Sequence, residues 1–211
     1  MVKTLKAAMG VSILAAGLTA GVAQAAPING SMSLSDGGLT VPPVPSTSIV
    51  SQLTNVTQGP AATNNCTGDL SAAGVCLAAS AASGPISLTA PAGSVYTYAG
   101  FTFTLTSVTN IVRTPLATTG VGSQLADALS FTIIGSVSGN GFTPTTFSGL
   151  WTGNGACIGT LGPPTCQSNV TASWSVSLTA LGTPTVPEPA TLGLIGIALA
   201  GLGFVARRKQ A

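Results

Sequence analysis

The sequence predicts an all-β protein with a single domain, built as an antiparallel β-sandwich or a barrel-like sheet. Three stretches alternate apolar residues with Ser or Thr, as strands do when one face is buried and the other is solvated. Their apolar members are Phe101, Phe103 and Leu105, then Leu129, Phe131, Ile133 and Val137, and finally Trp174, Val176 and Leu178. Turns rich in Gly and Pro separate many short segments, which is typical of sandwiches and barrels.

Residues 1–25 have the composition of a secretory signal peptide, with a basic start and an apolar h-region over residues 7–23. Ala23 and Ala25 then supply the small-x-small pattern that signal peptidase requires, which predicts cleavage immediately before Ala26. A first transmembrane helix is the alternative interpretation. The cleavage pattern and the proline that follows it favour the signal peptide.

Residues 26–185 are predicted to be one β-rich extracellular cargo domain. Residues 28–34 and 48–53 have the composition of early strands, and the proline-rich residues 42–45 separate them. Residues 59–83 are rich in Ala, Ser and Asn and poor in large apolar side chains. We therefore expect a long surface loop there, held by a disulfide.

The later part of the domain carries the strongest strand signals. Residues 96–98 are expected to open the first of the alternating strands. Asn140 and Gly141 lie between the second of these strands and the run 142–151, and Asn-Gly is the strongest short-range hairpin signal. Residues 124–128 are the one interior stretch in which we expect a single helical turn.

Four cysteines form two close pairs, Cys66 with Cys76 and Cys157 with Cys166, in a chain bound for an oxidising compartment. Three connectivities are open. Turn material between the members of each pair favours two local disulfides, each stabilising the fold by roughly 3 kcal/mol through the unfolded state. A zinc site is the alternative, but the chain has no His and neither pair has C-x2-C spacing.

The charge balance changes when the terminal segments are set aside, because they hold five of the six basic residues. The charged residues that remain are Arg113, Asp36, Asp69 and Asp127, with Glu188 at the boundary. A nucleic-acid surface needs a basic patch, so that class of function is excluded. Solubility must come from Ser, Thr, Asn and backbone groups, since ordinary domains have about a quarter of their residues charged.

The domain has few residues of the types that act in catalysis. The chain has no His and the domain has no Lys, which excludes a Ser-His-Asp triad, a Cys-His pair and a Ser-Lys dyad. Two of the three aspartates could in principle act as paired carboxylates, but Asp36 and Asp69 have the surroundings of turn residues. We therefore predict a protein that is not an enzyme and that has no catalytic residue, metal or cofactor, with a hydrolase as the weak alternative.

Four aromatic residues could offer a stacking platform for sugar rings, and these are Trp151, Trp174, Tyr96 and Tyr98. Trp174 is in phase with the apolar face of its strand, so we assign it to the core. Trp151 lies beside residues 153–155, Gly-Asn-Gly, which have the composition of a turn. Trp151 is therefore the residue that we expect to be exposed and to contact a glycan.

The C-terminal residues 186–211 have a composition of their own. Residues 191–206 are apolar, Gly or Thr, and as a helix they would span roughly 24 Å, slightly less than a bilayer core of about 30 Å. A turn-forming tripeptide precedes this segment and a basic cluster follows it, and these are Pro187, Glu188 and Pro189, and Arg207, Arg208 and Lys209. By the positive-inside rule the basic cluster stays cytoplasmic and the domain lies across the membrane.

The tripeptide, apolar segment and basic stop together resemble the sorting tail of bacterial PEP-CTERM proteins. The resemblance covers only the tail. It implies export, cleavage near the tripeptide by a membrane-embedded exosortase, and a role beside the exopolysaccharide that exosortase systems accompany. The tail is then a transient address, and the alternative is a permanent membrane anchor that is never cut.

The predicted function is that of a non-enzymatic exported protein of the cell envelope, cell surface or extracellular matrix. Its predicted partners are signal peptidase and exosortase during export, the membrane through the tail, and extracellular polysaccharide. A carbohydrate-binding adhesin is the alternative. The residues of the domain are compatible with both functions and do not identify a ligand.

Overall fold

The computed structural model describes residues 25–36, 38–71, 80–120, 122–183 and 196. Pro27–Thr183 form one compact unit. The predicted signal peptide and membrane segment fall in the other unit, almost wholly outside the described residues. In the part of the chain that the structure describes, no helix has the length and hydropathy needed to cross a membrane.

The described regular structure consists of ten strands and one 3₁₀ turn. The strands are β1 (Asn29–Asp36), β2 (Asn55–Val56), β3 (Ala61–Cys66), β4 (Ser80–Ser83), β5 (Ile86–Ser87), β6 (Gly93–Tyr98), β7 (Phe101–Thr118), β8 (Gln124–Gly139), β9 (Phe142–Leu161) and β10 (Pro164–Leu181), and the 3₁₀ turn is Gly68–Leu70. Eight strands close into an antiparallel barrel in the order β1-β10-β9-β8-β7-β6-β4-β3, while β2 pairs with β5. The predicted all-β antiparallel fold is confirmed, in its barrel form.

Alternation along the long strands builds one apolar interior. In β8 every second residue from Leu125 to Val137 is buried, and the Ser and Thr residues between them lie half-buried on the outer face. β9 and β10 follow the same pattern, and Trp174 is buried as predicted. Because successive side chains of a strand point to opposite faces, a closed sheet with this pattern encloses its apolar residues.

The Asn-Gly hairpin is confirmed. Asn140 and Gly141 alone join β8 to β9, with φ values of 51° and 78°, and Gly139 pairs with Phe142 across the turn. Two consecutive positive φ values define a type I′ turn, whose twist matches that of the flanking strands. The Asn140 side chain also donates to the carbonyl oxygen of Ala99 at 2.9 Å, which links this turn to the neighbouring one.

Gly141→Val should lower the free energy of unfolding by about 1–3 kcal/mol, because a β-branched residue is strained at positive φ. A Cβ atom at this position would meet no atom within 4 Å, so the backbone conformation alone causes the loss. Ser138→Ala, on the outer face just before the turn, should change it by no more than about 0.5 kcal/mol. Urea melts of the protein without residues 1–25 measure both values, and equal small shifts would contradict this role of the turn.

Residues 59–83 are not a surface loop throughout, which corrects the prediction. They contribute β3 and β4 to the barrel, and β3 pairs with β1. In β3 the buried positions are taken by Ala61 and Thr63 rather than by large side chains. Strand pairing is made by backbone groups, so a segment of small residues can complete a barrel whose other strands supply the core.

Three shorter predictions are also wrong. Residues 96–98 end β6, and Ala99 and Gly100, at φ 48° and 82°, turn the chain back into β7. Residues 48–53 form an irregular turn instead of a strand, and residues 124–128 begin β8 instead of a helical turn. Partners distant in sequence decide the second and third cases, whereas residues 96–98 pair with residues 101–103 directly after a tight turn.

The disulfide between Cys157 and Cys166 is confirmed, with Cα atoms 5.7 Å apart on β9 and β10. A zinc site at these two sulfur atoms is therefore excluded, since they are bonded to each other. Cys66 is also disulfide-bonded. Cys76 lies outside the described residues, so the pairing of Cys66 with Cys76 stays a prediction.

A non-reducing digest of the protein isolated from its host should release one cross-linked peptide pair containing Cys66 and Cys76. It should release a second pair containing Cys157 and Cys166, and reduction before digestion should abolish both. Mass spectrometry of the digest makes the measurement. A peptide that joins Cys66 to the later half of the chain would contradict the local pairing.

Candidate functional site

The N-terminal end of the barrel is anchored within two residues of the predicted signal cleavage. Pro27 forms a parallel bridge with Thr143. Ile28 is fully buried, and its N–H donates to Oγ1 of Thr145 at 2.8 Å. Cleavage before Ala26 would therefore retain every residue that anchors this end of the barrel.

The C-terminal end lies beside it. β10 ends at Leu181, which pairs with Asn29 of β1 and is 75% exposed. The N–H of Gly182 then donates to the carbonyl oxygen of Ile28 at 3.1 Å. A Cβ atom on Gly182 would lie 2.3 Å from Cβ of Pro27, so glycine is what allows the first and last residues of the barrel to lie against each other. The first and last residues of the barrel are thus neighbours on one sheet.

The exported protein should begin at Ala26 and end close to Pro187, Glu188 and Pro189. Neither cut removes a barrel strand, since the strands span Asn29 to Leu181, so processing should leave the fold unchanged. Mass spectrometry of the intact protein from its host measures both ends. A mature chain that keeps Arg207, Arg208 and Lys209 would contradict the transient tail and identify a permanent anchor.

Among the charged residues whose side chains the structure describes, Asp127 is the most deeply buried, with only 3% of it exposed. The alternation of β8 directs it inward. Its Oδ2 accepts the N–H groups of Ile49, Val50 and Ser51 at 2.8, 3.0 and 2.9 Å, and the hydroxyl of Ser48 at 3.2 Å. Residues 48–51 therefore wrap around a carboxylate, which explains why this segment is a turn and not the predicted strand.

Two further residues fit this turn into the barrel. Arg113 of β7 donates from Nη1 to the carbonyl oxygen of Ser51. At Gly155 of β9 a Cβ atom would lie 2.5 Å from Cγ2 of Ile49 and 2.7 Å from Oδ1 of Asp127. Glycine is therefore required there for close packing. No sequence motif predicts this arrangement. The one available signal is that Asp127 is an isolated charged residue in the otherwise apolar inward-facing row of β8.

The prediction that Trp151 is exposed and contacts a glycan is wrong, because the side chain is fully buried. Its ring stacks on Phe131 and Trp174 with centroids 4.7 and 6.4 Å apart. Its Nε1 donates to Oε1 of Gln58 at 3.0 Å. Residues 153–155, expected to be a turn, continue β9, and the period-two alternation of that strand turns Trp151 inward.

Tyr96 completes the aromatic cluster. Its ring stacks on Trp174 with centroids 6.3 Å apart, and its hydroxyl donates to Oε1 of Gln58 at 3.4 Å. Burial raises the pKa of the Tyr96 phenol because the phenolate would lose its hydration, and the bond to Gln58 lowers it by less. Tyr98 is buried as well. All four aromatic residues of the predicted sugar platform thus belong to the core.

A shallow groove of about 400 Å³ opens to solvent beside Cys157. Gln124 and Asn169 supply amide groups to its lining, and Leu125 and Ile158 supply apolar surface. Its lining is uncharged, so the groove suits a neutral group. Asp69 and Asp127, the aspartates whose side chains the structure describes, do not line it.

Residues 185–209 match the family model of the PEP-CTERM protein-sorting motif. The match contains the tripeptide and the basic cluster on which the sequence resemblance rests, and it leaves the barrel unassigned. Searches among curated proteins and among solved structures found no match. The chain is therefore a PEP-CTERM protein, an exported protein that exosortase sorts through its C-terminal motif.

Proposed function

We propose that the barrel is a non-enzymatic structural component of the cell surface or of the extracellular polysaccharide matrix. The proposal that the barrel is not an enzyme rests on the hydrogen bonds that its described charged side chains make. Asp127 and Arg113 hold residues 48–51, and Oδ2 of Asp69 accepts the N–H of Asn29 at 2.8 Å. Charged groups committed to backbone partners are not available to act on a substrate.

The outer face of β1, β8, β9 and β10 supports a role beside polysaccharide, because its described side chains are uncharged and rich in hydroxyl groups. Strand register aligns outward residues in transverse rows across β1, β10, β9 and β8. One row is Ser35, Ser175, Thr152 and Ser130, and the adjacent row is Ser33, Ser177, Leu150 and Thr132, in which only Leu150 lacks a hydroxyl. The hydroxyls of Thr152 and Ser175 hydrogen-bond across strands at 2.9 Å. Strands about 4.8 Å apart repeat this pattern, which offers a neutral glycan chain successive donors and acceptors.

Cosedimentation of the exported protein with the matrix polysaccharide of its host tests the proposal. Binding should be nearly independent of salt, because a neutral face has little charge for salt to screen. Thr152→Val combined with Ser175→Val should weaken binding, while Thr160→Val, an exposed hydroxyl outside these rows, should not. Protein that stays soluble at every salt concentration, or equal loss in both variants, would contradict the proposed role.

A further inference from the structure

The groove beside Cys157 lies where three neighbouring strands meet the turn between β7 and β8. Its lining includes Thr119 from that turn, Gln124 and Leu125 of β8, Cys157 and Ile158 of β9, and Asn169 of β10. Leu125 and Cys157 are buried and form its floor, whereas Gln124, Ile158 and Asn169 are exposed around it. Its volume of about 400 Å³ falls in the range of small-molecule sites, about 300–1,000 Å³.

Two carboxamide groups line this groove with their hydrogen-bonding capacity unused. Gln124 and Asn169 lie on separate strands, and neither side chain has a hydrogen-bond partner among the described residues. By contrast, the amides of Gln58 and Asn140 donate to carbonyl oxygen atoms of the barrel. Because a carboxamide holds a donor and an acceptor side by side, the groove presents both kinds of group to a ligand.

Irregular strand pairing places Asn169 at the groove. From Cys166 to Thr171, β10 advances five residues, while β9 advances three, from Gly159 to Ala156. Asn169 lies in the second of the two register shifts in this interval, with φ 50°. Such β-bulges redirect side chains and are frequent beside functional sites, and asparagine tolerates positive φ better than most residues.

The framework of the groove is held by covalent and backbone bonds. The disulfide between Cys157 and Cys166 joins β9 to β10 at its floor. The N–H of Gly159 donates to the carbonyl oxygen of Ser123 at 2.9 Å, and the N–H of Thr119 donates to that of Gln124 at 3.0 Å. A site whose framework is already ordered loses less conformational entropy when a ligand binds.

We propose that this groove binds a short neutral saccharide, which the carboxamides of Gln124 and Asn169 hold above the apolar floor. Each hydroxyl of a sugar is both donor and acceptor, so two adjacent hydroxyls match the donor and acceptor of one carboxamide. The C–H face of the ring packs against Ile158 and the floor. An ionic ligand would lose hydration without compensation, because the described lining has no charged group.

This site shares no residue with the hydroxyl rows of the outer face. The role beside polysaccharide and the binding of a saccharide in the groove can therefore be tested separately. Thr152→Val combined with Ser175→Val should leave the groove unaffected. Variants of Gln124 and Asn169 should leave the rows unaffected.

NMR titration of isotope-labelled protein isolated from its host tests the proposal, with cellobiose, maltose and lactose as probes. The side-chain NH₂ signals of Gln124 and Asn169 should shift and saturate with at least one of these disaccharides. Glucuronate, which carries a charge, should bind more weakly. Gln124→Ala and Asn169→Gly should each raise the Kd about tenfold, because each removes one hydrogen-bonding amide. Glycine keeps the positive φ of position 169.

Asn154→Ala is the matched control, since it removes an exposed carboxamide of β9 that does not line the groove. Its Kd should equal that of the natural protein. A well-dispersed spectrum checks the folding of each variant, and Asn169→Asp, which removes the donor, replaces Asn169→Gly if the latter does not fold. The absence of a saturating shift with all three disaccharides would overturn the proposal. Equal shifts with glycerol, or an equal loss in Asn154→Ala, would also overturn it.

Discussion

Replacing Asp127 with alanine should lower the free energy of unfolding by about 3–5 kcal/mol, one of the two largest losses expected in this protein. The change leaves the N–H groups of Ile49, Val50 and Ser51 buried without their carboxylate acceptor. Asp127→Asn should lower the free energy of unfolding by less, because the amide keeps one acceptor oxygen. It should still destabilise the protein, because the NH₂ group of the amide would face other N–H donors. Urea or thermal unfolding of the exported protein measures these effects.

Asp69→Ala is the matched control for the loss of a carboxylate. Asp69 accepts a single N–H in an exposed setting, so its removal should cost only about 0.5–1.5 kcal/mol. Formate should partly restore the stability of Asp127→Ala, because a small anion can enter the vacated cradle of N–H groups. Equal losses for the two alanine variants would show that the buried carboxylate does not hold residues 48–51 as described.

Trp151→Ala should destabilise the barrel by about 3–5 kcal/mol, the usual range for a buried aromatic residue truncated to alanine. The variant removes the stacking partner of Phe131 and Trp174 and one hydrogen bond to Gln58. The space that it leaves is enclosed by neighbouring strands, which cannot collapse without breaking their pairing. Denaturant melts of the exported protein measure the loss.

Leu150→Ala is the control beside it. Leu150 precedes Trp151 in β9, points to the outer face and is 54% exposed, so its truncation should change stability by no more than about 0.5 kcal/mol. A small loss for Trp151→Ala would contradict the buried position. Glycan binding that disappears in Trp151→Ala while the variant remains fully stable would restore the residue as a surface contact.

Local patterns predicted the parts of the fold that local chemistry controls. Asn140 and Gly141 tolerate positive φ, so the hairpin could be placed from two residues. The alternation in β8 placed Phe131 in the interior because period two is a property of every strand. Trp151 was misplaced because residues 153–155 have a turn-like composition, and only pairing with β8 and β10 keeps them extended.

The polar interior could not be predicted in this way. Asp127 and the N–H groups of residues 49–51 are separated by more than seventy residues, and no short motif records their meeting.

The sequence by itself determined that this is a PEP-CTERM protein with a β-rich domain and a local disulfide in its later half. Those properties depend on contiguous residues: a short sorting motif, a two-residue period and two cysteines close along the chain. The tertiary structure decided that the sheet closes as a barrel, that small-residue segments complete it, and that Trp151 and Asp127 face inward. These outcomes depend on strand register, which backbone pairing between distant segments sets and which a single inserted residue shifts.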